Sequence, residues 1–281
     1  MQFRTELHLR QSELPIDHAT PLLMLGSCFT DEVGDRLRID GFNVTANPLG
    51  PVYNPAVLTR ILSRALDRRM FTVDELVEGP RGYHCLTFAS RYSGPVAEEV
   101  ITAVNSDFSL IAEVLSSPAT VILTLGSAYV FTHEATAEIV GNCHKLPGTV
   151  FSRRLLGVDE IVPSLQSVVT RLKALGHRVI FTVSPIRHLA DGLHGNTISK
   201  STLHLAVNSI TGAEYFPAYE ALIDDLRDYR FYAADMKHPS DVAVDYIYGL
   251  FADVYFSPAT SAAASEARSR YKRNNHRQIL S

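Results

Sequence analysis

A chain of 281 residues, 46% hydrophobic and 20% charged, has the composition of a globular protein that can bury a sizeable core. Its formal net charge of −4 argues against a general attraction to nucleic acid or to a membrane surface, and its three scattered cysteines indicate neither a disulfide framework nor a C-x-x-C zinc pair. The sequence has no 18-residue apolar run, and its charged first segment lacks the apolar core of a secretory signal, so we expect a cytoplasmic protein without a membrane span.

Short apolar segments that end at polar turns alternate with amphipathic segments along the chain. The predicted strands are "PLLMLGS" (21–27), "GFNVTANPLGP" (41–51), "ATVILTLGSAY" (119–129), "HRVIFTVSPIRH" (177–188) and the weaker "GAEYFPAYEAL" (212–222). The predicted helices include 54–69, 97–117, 158–176 and 239–256. This alternation predicts an α/β layer sandwich with a mainly parallel sheet, in which the loops at the carboxyl ends of the strands build the binding site.

Two stretches interrupt the alternation and have the pattern of β-hairpins, near residues 78–95 and 128–148. Because they follow predicted strand ends, we expect them to wall or cover a pocket. We expect residues 1–256 to form a single catalytic domain that contains both hairpins. Residues 257–281 are rich in Ala and then basic, which predicts a tail that is partly helical or mobile.

Ser27 stands at the end of the first predicted strand, in "LGSCFTDEV", where a hydroxyl would be presented at the carboxyl edge of the sheet. Gly and Ser are also common in turns, so the alternative is that Gly26 and Ser27 only redirect the chain. The segment does not match the G-x-S-x-G pattern of α/β-hydrolases.

A serine nucleophile needs a base, and the base needs a group that orients it. The segment "AADMKHPSD" places Asp235 three residues before His238, a spacing at which the carboxylate can reach the imidazole and hold one tautomer. The alternative for this D-x-x-H pattern alone is an ordinary surface turn.

Two loop residues are candidates for stabilising an oxyanion. Asn142, in "VGNCHKLPG", can donate from its side-chain amide, and Gly50, in "NPLGP", can bring its backbone N–H close to a substrate oxygen because it has no side chain. Asn142 at the end of a hairpin is equally compatible with a purely structural role.

Taken together, these residues resemble the four sequence blocks of the SGNH hydrolases, and the wording is closer still to the GSCFA-domain family. In chain order, from about residue 20 to 255, the matching segments are "GSCFT", "NPLGPVYNP", "TLGSAYVF", "NCHKLP", "SPIRH", "SKSTL", "YFPAYE" and "DYRFYAADMKHPS". The chain departs from the name motif at Thr30, where the motif has Ala.

This resemblance implies a flavodoxin-like three-layer α/β/α fold and a serine ester-hydrolase site. By position in the motifs, Ser27 is the nucleophile, His238 the base and Asp235 its orienting carboxylate. Gly50 and Asn142, together with the Ser27 N–H, would form the oxyanion hole. Because Asn142 follows the third strand only after the predicted hairpin, Ser127 or Tyr129 is an alternative to it.

Further polar side chains near strand ends or hairpins are candidates for substrate binding: Tyr129, His144, Lys145, Arg187 and His188. They can bind a carboxylate, phosphate or sugar, or brace the loops. Lys200, in "ISKSTL", is expected to cap or pair locally.

Several other functions remain as alternatives. Cys28 beside Ser27 allows a Cys–His enzyme, because a helix N-terminus also lowers the pKa of a thiol. "GNCH" faintly resembles one block of the metallophosphoesterases, but the upstream D-x-H and G-D blocks are missing. A non-catalytic binding module would not need Ser27, His238 and Asp235 together.

The sequence therefore predicts an SGNH-type serine esterase that removes an acyl group, such as acetyl, through an acyl-enzyme. An O-acyltransferase that uses the same site on a carbohydrate is the alternative within this chemistry. We expect a small-molecule or carbohydrate ester as substrate, no metal or organic cofactor, and no nucleic acid or membrane partner. The oligomeric state is left open.

Overall fold

The computed structural model describes residues 4–279, with side chains for residues 4–274. Residues 1–3 and 280–281, at the two ends of the predicted domain and tail, lie outside the described residues. The strands are β1 (Leu22–Gly26), β2 (Val44–Ala46), β3 (Val77–Gly79), β4 (Gly82–His84), β5 (Ser93–Gly94), β6 (Thr120–Leu125), β7 (Tyr129–His133), β8 (Glu138–Val140), β9 (Phe151–Leu155), β10 (Arg178–Val183) and β11 (Glu214–Tyr215).

The helices are α1 (Phe29–Ile39), α2 (Pro55–Leu66), α3 (Ala97–Val114), α4 (Val158–Ala174), α5 (Gly192–Asn208), α6 (Ala218–Glu220), α7 (Asp241–Tyr255) and α8 (Pro258–Ile279). A π-helical segment, Ala221–Leu226, continues α6. Local capping explains two helix starts: the Asn54 side chain accepts from Val57 N at the start of α2, and Ser240 accepts from Ala243 N at the start of α7.

Five parallel strands form the central sheet, in the order β11-β10-β6-β1-β2. Numbered along the chain, these strands follow the order 2-1-3-4-5 of flavodoxin-like sheets. The predicted α/β fold with a mainly parallel sheet is therefore confirmed. The predicted fifth strand is shortened to two residues, because Pro217 follows it and α6 begins at Ala218.

The two faces of the sheet bury different side chains, since successive residues of a strand point to opposite sides. In β1, Leu23 and Leu25 pack in the cluster that also contains buried residues of α2, α3, α4 and α5. Leu22 and Met24 pack in the other cluster, with buried residues of α1 and α7. Helices thus cover both faces, which makes the three layers.

Helix α5 is absent from the helices predicted by the sequence pattern. Three polar residues, Asn196, Ser199 and Lys200, are buried on this helix beside Leu203 and Val207. Because polar side chains occupy part of the buried face, the apolar periodicity that identifies an amphipathic helix is weak here.

The interrupting segments form two small antiparallel sheets. One consists of β3, β4 and β5, and the other has the order β8-β7-β9. Three residues separate the end of β6 from the start of the hairpin β7–β8, and β9 pairs along the other side of β7. The second sheet therefore stands directly beside the carboxyl edge of the central sheet.

The C-terminal segment forms the long helix α8, and its side chains contact the rest of the fold. Arg268 Nε donates to Asp40 Oδ1 at 2.7 Å, and the Tyr248 hydroxyl donates to Asp40 Oδ2 at 2.7 Å. Among the described residues, no helix combines the length and the apolar character needed to cross a membrane.

Candidate active site

Three serines follow neighbouring strands of the central sheet: Ser27 after β1, Ser127 after β6 and Ser184 after β10. The strands are parallel, so these residues lie at one edge. Strands β1 and β6 are the neighbours at which the strand order reverses, the position where open α/β sheets form a binding crevice. The backbones approach closely here, because a Cβ added to Gly126 would lie 3.5 Å from Ser27 Cβ.

The turn that carries Ser27 is held by its neighbours. Gly26 has φ +150°, and a Cβ at this residue would lie 2.2 Å from Thr124 O, so only glycine fits. Asn47 Oδ1 accepts from Gly26 N at 2.9 Å, and Asn47 Nδ2 donates to Ser27 O at 3.2 Å. Ser27 is 2% exposed. Its backbone is consequently fixed on both sides.

The Ser27 hydroxyl donates to Ser184 Oγ at 2.8 Å. Ser184 is the only hydrogen-bond partner of this hydroxyl among the described residues. Ser184 Oγ also accepts from Ile186 N at 3.3 Å. Ser184 is not among the residues predicted to form the site, although its place in "SPIRH" at a strand end is the same signal that singled out Ser27.

His238 and Asp235 lie in the loop that leads into α7. Asp235 Oδ1 accepts from Lys237 N at 2.9 Å and from His238 N at 3.0 Å, which closes a local turn. The other oxygen, Oδ2, is 2.6 Å from His238 Nδ1. Hydrogen bonds from the His238 backbone and side chain lower the pKa of the Asp235 carboxyl. The D-x-x-H spacing therefore forms a carboxylate–imidazole pair, with the carboxylate ionised.

Ser27 and His238 line one cleft of about 450 Å³ at the carboxyl edge of the sheet. No hydrogen bond joins the two side chains in the described structure, in which Ser27 points to Ser184. Tyr53, Tyr129 and Phe131 also line the cleft, together with the segment 186–190.

The backbone N–H of Gly50, predicted to contribute to an oxyanion hole, donates to Asn47 O at 2.8 Å. Gly50 has φ +86°, and a Cβ there would lie 2.5 Å from Ala89 Cβ, so glycine is required by the turn and by the packing. The Ser27 N–H is likewise engaged, with Thr124 O at 3.2 Å. Neither backbone donor is free for an oxyanion.

Asn142 lies in an adjoining recess of about 210 Å³, which shares Tyr53, Tyr129 and Phe131 with the main cleft. Its Oδ1 accepts from His144 N at 2.8 Å. No described residue accepts from its Nδ2, so this N–H₂ group is the end of the side chain that can face a ligand.

His144 is buried and braces two loops, so it does not line the cleft as a substrate-binding residue. Its Nδ1 is 2.6 Å from Ser93 Oγ and its Nε2 is 3.0 Å from Phe88 O, which occupies both ring nitrogens. Lys145 is exposed and lies outside the residues that line the cleft. The sequence alone did not show whether His144 and Lys145 brace the loops or bind a substrate.

Arg187, His188 and Tyr129 do line the cleft with Ser27 and His238. His188 Nε2 and Ser27 Cβ lie near the same point, at 3.4 Å and 3.5 Å from the position that a Cβ at Gly126 would occupy. This Nε2 is buried and has no hydrogen-bond partner among the described residues. Burial, with a smaller contribution from the Lys200 charge, lowers the pKa of His188 to about 4.

Lys200 does not pair locally, as the sequence suggested, but lies fully buried beneath the strand ends. Its Nζ donates to Gly126 O and to Ser184 O, each at 2.7 Å. Burial lowers the pKa of Lys200 to about 7. Lys200 thus joins the end of β6, next to Ser127, to the end of β10 at Ser184. The sequence signal was its spacing, because residues 200, 203 and 207 share one face of α5.

Cys28 is exposed beside Ser27, and partial burial of its sulfur raises the pKa of the thiol, with Asp31 and Glu32 adding to the effect. A raised pKa disfavours the thiolate that a Cys–His enzyme needs. Within the described residues, no group of three or more His, Cys, Asp or Glu side chains is placed to hold a metal ion.

Comparison with known proteins agrees with the sequence motifs. A comparison with curated proteins found no match. Among solved structures, the chain resembles the psychrotrophic esterase EstA from Pseudoalteromonas sp., in a crystal structure inhibited by monoethylphosphonate. The identity is 11%, the alignment covers 84% of this chain and 96% of that chain, and the TM-score is 0.38. The sequence model of the GSCFA family matches residues 21–251. The chain belongs to the GSCFA family.

Proposed function

We propose that this protein is a serine ester hydrolase of the SGNH type. Ser27 is the nucleophile, His238 the general base and Asp235 the carboxylate that orients it. The observation that supports this proposal most strongly is the cleft, which places Ser27 and a His238–Asp235 pair at the same sheet edge.

The Asp235–His238 geometry determines which ring nitrogen can act as a base. Because the ionised carboxylate lies 2.6 Å from Nδ1, the proton of the neutral ring belongs on Nδ1. Nε2 is then left to accept the proton of Ser27. The carboxylate also stabilises the imidazolium that forms as the serine attacks.

The resting hydrogen bond from Ser27 to Ser184 must be exchanged for one to His238 before attack. We expect a rotation about the Cα–Cβ bond of Ser27 to make this exchange, since three staggered rotamers are available to a serine. Ser27 Oγ then attacks the ester carbonyl carbon, and the alcohol leaves with the proton returned by His238. Water repeats the same steps on the acyl-enzyme to release the acid.

His188 is a poorer base than His238, although its ring lies closer to Gly126. No carboxylate pairs with it among the described residues, and burial, together with the nearby Lys200 and Arg153 charges, lowers its pKa to about 4. A neutral imidazole with a free, buried Nε2 is better suited to donate a hydrogen bond. His188 Nε2 and Asn142 Nδ2 are therefore the two side-chain donors we assign to the oxyanion.

The experiment is ester turnover and active-site labelling. The wild-type protein should hydrolyse 4-nitrophenyl acetate and acquire one covalent group on Ser27 from a fluorophosphonate, identified by peptide mass spectrometry. Ser27→Ala should lower turnover by at least about 10³-fold and abolish the label. His238→Gln should lower kcat by about 10²- to 10⁴-fold.

Ser106→Ala is a matched control, since Ser106 is exposed on α3. It should leave turnover and labelling unchanged. Unchanged turnover in Ser27→Ala, with the variant folded as judged by circular dichroism, would contradict the proposed function.

A further inference from the structure

The charged side chains that line the cleft are all basic. They are Arg153, Arg187 and Lys237, and the two histidines His188 and His238 accompany them. None of the described residues that line the cleft is Asp or Glu. The chain as a whole carries a formal net charge of −4. The excess of positive charge in the cleft is therefore local and does not follow from the overall composition.

Arg153 is already neutralised within the protein. Its Nη2 lies 2.5 Å from Asp191 Oδ2, and its guanidinium stacks 4.9 Å from the centre of the Tyr129 ring and 4.8 Å from that of Phe131. This arrangement fixes the wall of the cleft and leaves little charge to attract a ligand.

Arg187 and Lys237 have no such partner, because neither makes an ion pair with a described residue. The Arg187 guanidinium lies 4.3 Å from the centre of the Tyr232 ring and 5.1 Å from that of Tyr229, which holds the side chain in place. Arg187 N donates to Lys237 O at 3.1 Å, so the two residues are backbone neighbours. Lys237 also directly precedes the proposed base.

Two uncompensated cations that line one cleft repel each other, and this cost is reduced when an anion binds to both of them. A guanidinium that is oriented before binding can make two parallel hydrogen bonds to a carboxylate or to a phosphate, and a lysine adds a point charge. Arg187 and Lys237 line the same cleft as Ser27 and His238.

We infer that the substrate is an ester that carries a negatively charged group, and that Arg187 and Lys237 bind this group while the ester carbonyl lies at Ser27. This inference rests on the proposed ester hydrolysis and adds the substrate class. The structure leaves two positions for the charge: on the acyl side of the ester or on the alcohol side.

Matched pairs of esters test each position. On the alcohol side, 3-acetoxybenzoate is compared with phenyl acetate. On the acyl side, the 4-nitrophenyl monoester of adipic acid is compared with 4-nitrophenyl hexanoate, whose terminal methyl group replaces the carboxylate. We expect kcat/KM to favour the anion by at least about tenfold in one pair, and the preference to shrink as salt is added.

The double variant Arg187→Gln with Lys237→Gln should lose this preference, measured as the ratio of kcat/KM between the two members of each pair. Lys173→Gln with Lys272→Gln removes two exposed lysines elsewhere and serves as the charge-matched control. Lys237→Gln alone, which leaves the Arg187 stacking intact, should lose part of the preference. Equal kcat/KM for both members of both pairs, or a preference that survives in the double variant, overturns the inference.

A binding measurement separates this inference from the proposed function. The Ser27→Ala protein should bind the anionic member of at least one of the two pairs more tightly than its neutral member by calorimetry, and the double substitution in that background should remove the difference. If the wild-type protein hydrolyses no ester but this difference is found, the hydrolase proposal fails and the anion site stands. If neutral esters are hydrolysed without any difference in binding or kcat/KM, the anion site fails and the hydrolase proposal stands.

Discussion

The hydroxyl of Ser27 donates to Ser184 Oγ at 2.8 Å, across the carboxyl ends of two strands that are separated by β6 in the sheet. The two serines are 157 residues apart along the chain. This bond engages the hydroxyl of the proposed nucleophile with Ser184, so it must be exchanged for a bond to His238 before the proposed attack.

Ser184→Ala removes the resting partner of Ser27. A hydrogen bond between neutral groups contributes about 1 kcal/mol net, so we expect kcat/KM for 4-nitrophenyl acetate to stay within about fivefold of wild type or to rise by that factor. Steady-state kinetics measures this, with Ser106→Ala as the control. A loss of more than about 100-fold would instead place Ser184 in the proton-transfer path.

Asp235→Asn replaces an exposed carboxylate and leaves the shape of the loop largely intact. The amide no longer holds the proton on Nδ1 and no longer stabilises the imidazolium, so kcat should fall by about 10²- to 10⁴-fold with little change in KM. Asp253→Asn, at an exposed position of α7, should have no such effect. A kcat of Asp235→Asn close to that of the wild type would show that this carboxylate does not orient the base.

Lys200→Met should lower the free energy of unfolding by about 1–3 kcal/mol, because it leaves Gly126 O and Ser184 O without their donor. Chemical denaturation measures this, and Lys173→Met at an exposed site should cost far less. Since Gly126 and Ser184 adjoin the serines, kcat of Lys200→Met should fall as well. Stability equal to that of wild type would contradict the bridging role.

The pKa of Lys200 also predicts how stability depends on alkaline pH. Burial lowers the folded pKa to about 7, while the ordinary value is 10.5. Between these values the unfolded chain binds a proton that the folded chain does not, so this group makes the free energy of unfolding rise with pH. A neutral amine still has two hydrogens for its two carbonyl partners. The slope over this range should be smaller in Lys200→Met, and an identical slope would argue against the lowered pKa.

His188 predicts the corresponding behaviour in acid. Its pKa is lowered from 6.5 to about 4 by burial, with the Lys200, Arg153 and His238 charges adding to the effect. As pH falls from 6.5 towards 4, His188 becomes protonated in the unfolded chain but stays neutral in the folded chain. Stability should therefore drop by up to about 3 kcal/mol from this group. Denaturation of His188→Gln across this range should show a smaller drop, and an unchanged drop would contradict the assignment.

The sequence predicted well what depends on neighbouring residues. The apolar runs of β1, β6 and β10 are continuous because both faces of a parallel sheet are buried, and this pattern is readable without a structure. The Asp235–His238 hydrogen bond is also local, since three residues of a tight turn suffice to form it. Gly26 and Ser27 stand at the end of β1, as their place after an apolar run predicted.

The roles of Gly50, His144 and Lys200 could not be predicted from the sequence, because the same local pattern is compatible with a structural role and with a binding role. In the sequence, a turn glycine whose N–H is available to a ligand cannot be distinguished from one whose N–H is hydrogen-bonded within the turn. Only the hydrogen bond from Gly50 N to Asn47 O decides between them. His144 resembles a ligand-binding histidine until Ser93 and Phe88 are seen to occupy both its nitrogens. Lys200 lies on a helix whose apolar pattern is interrupted by the buried lysine itself.

By itself, then, the sequence determined the strands, the layer type, the membership of the GSCFA family and the one short-range polar pair. The tertiary structure decided which distant groups meet at the edge of the sheet: Ser184 with Ser27, Lys200 with two strand ends, and Arg187 beside Lys237. The physical reason is that short-range hydrogen bonds follow from turn geometry, whereas contacts across the sheet depend on the strand order 2-1-3-4-5, and hydrophobic periodicity carries no information about that order.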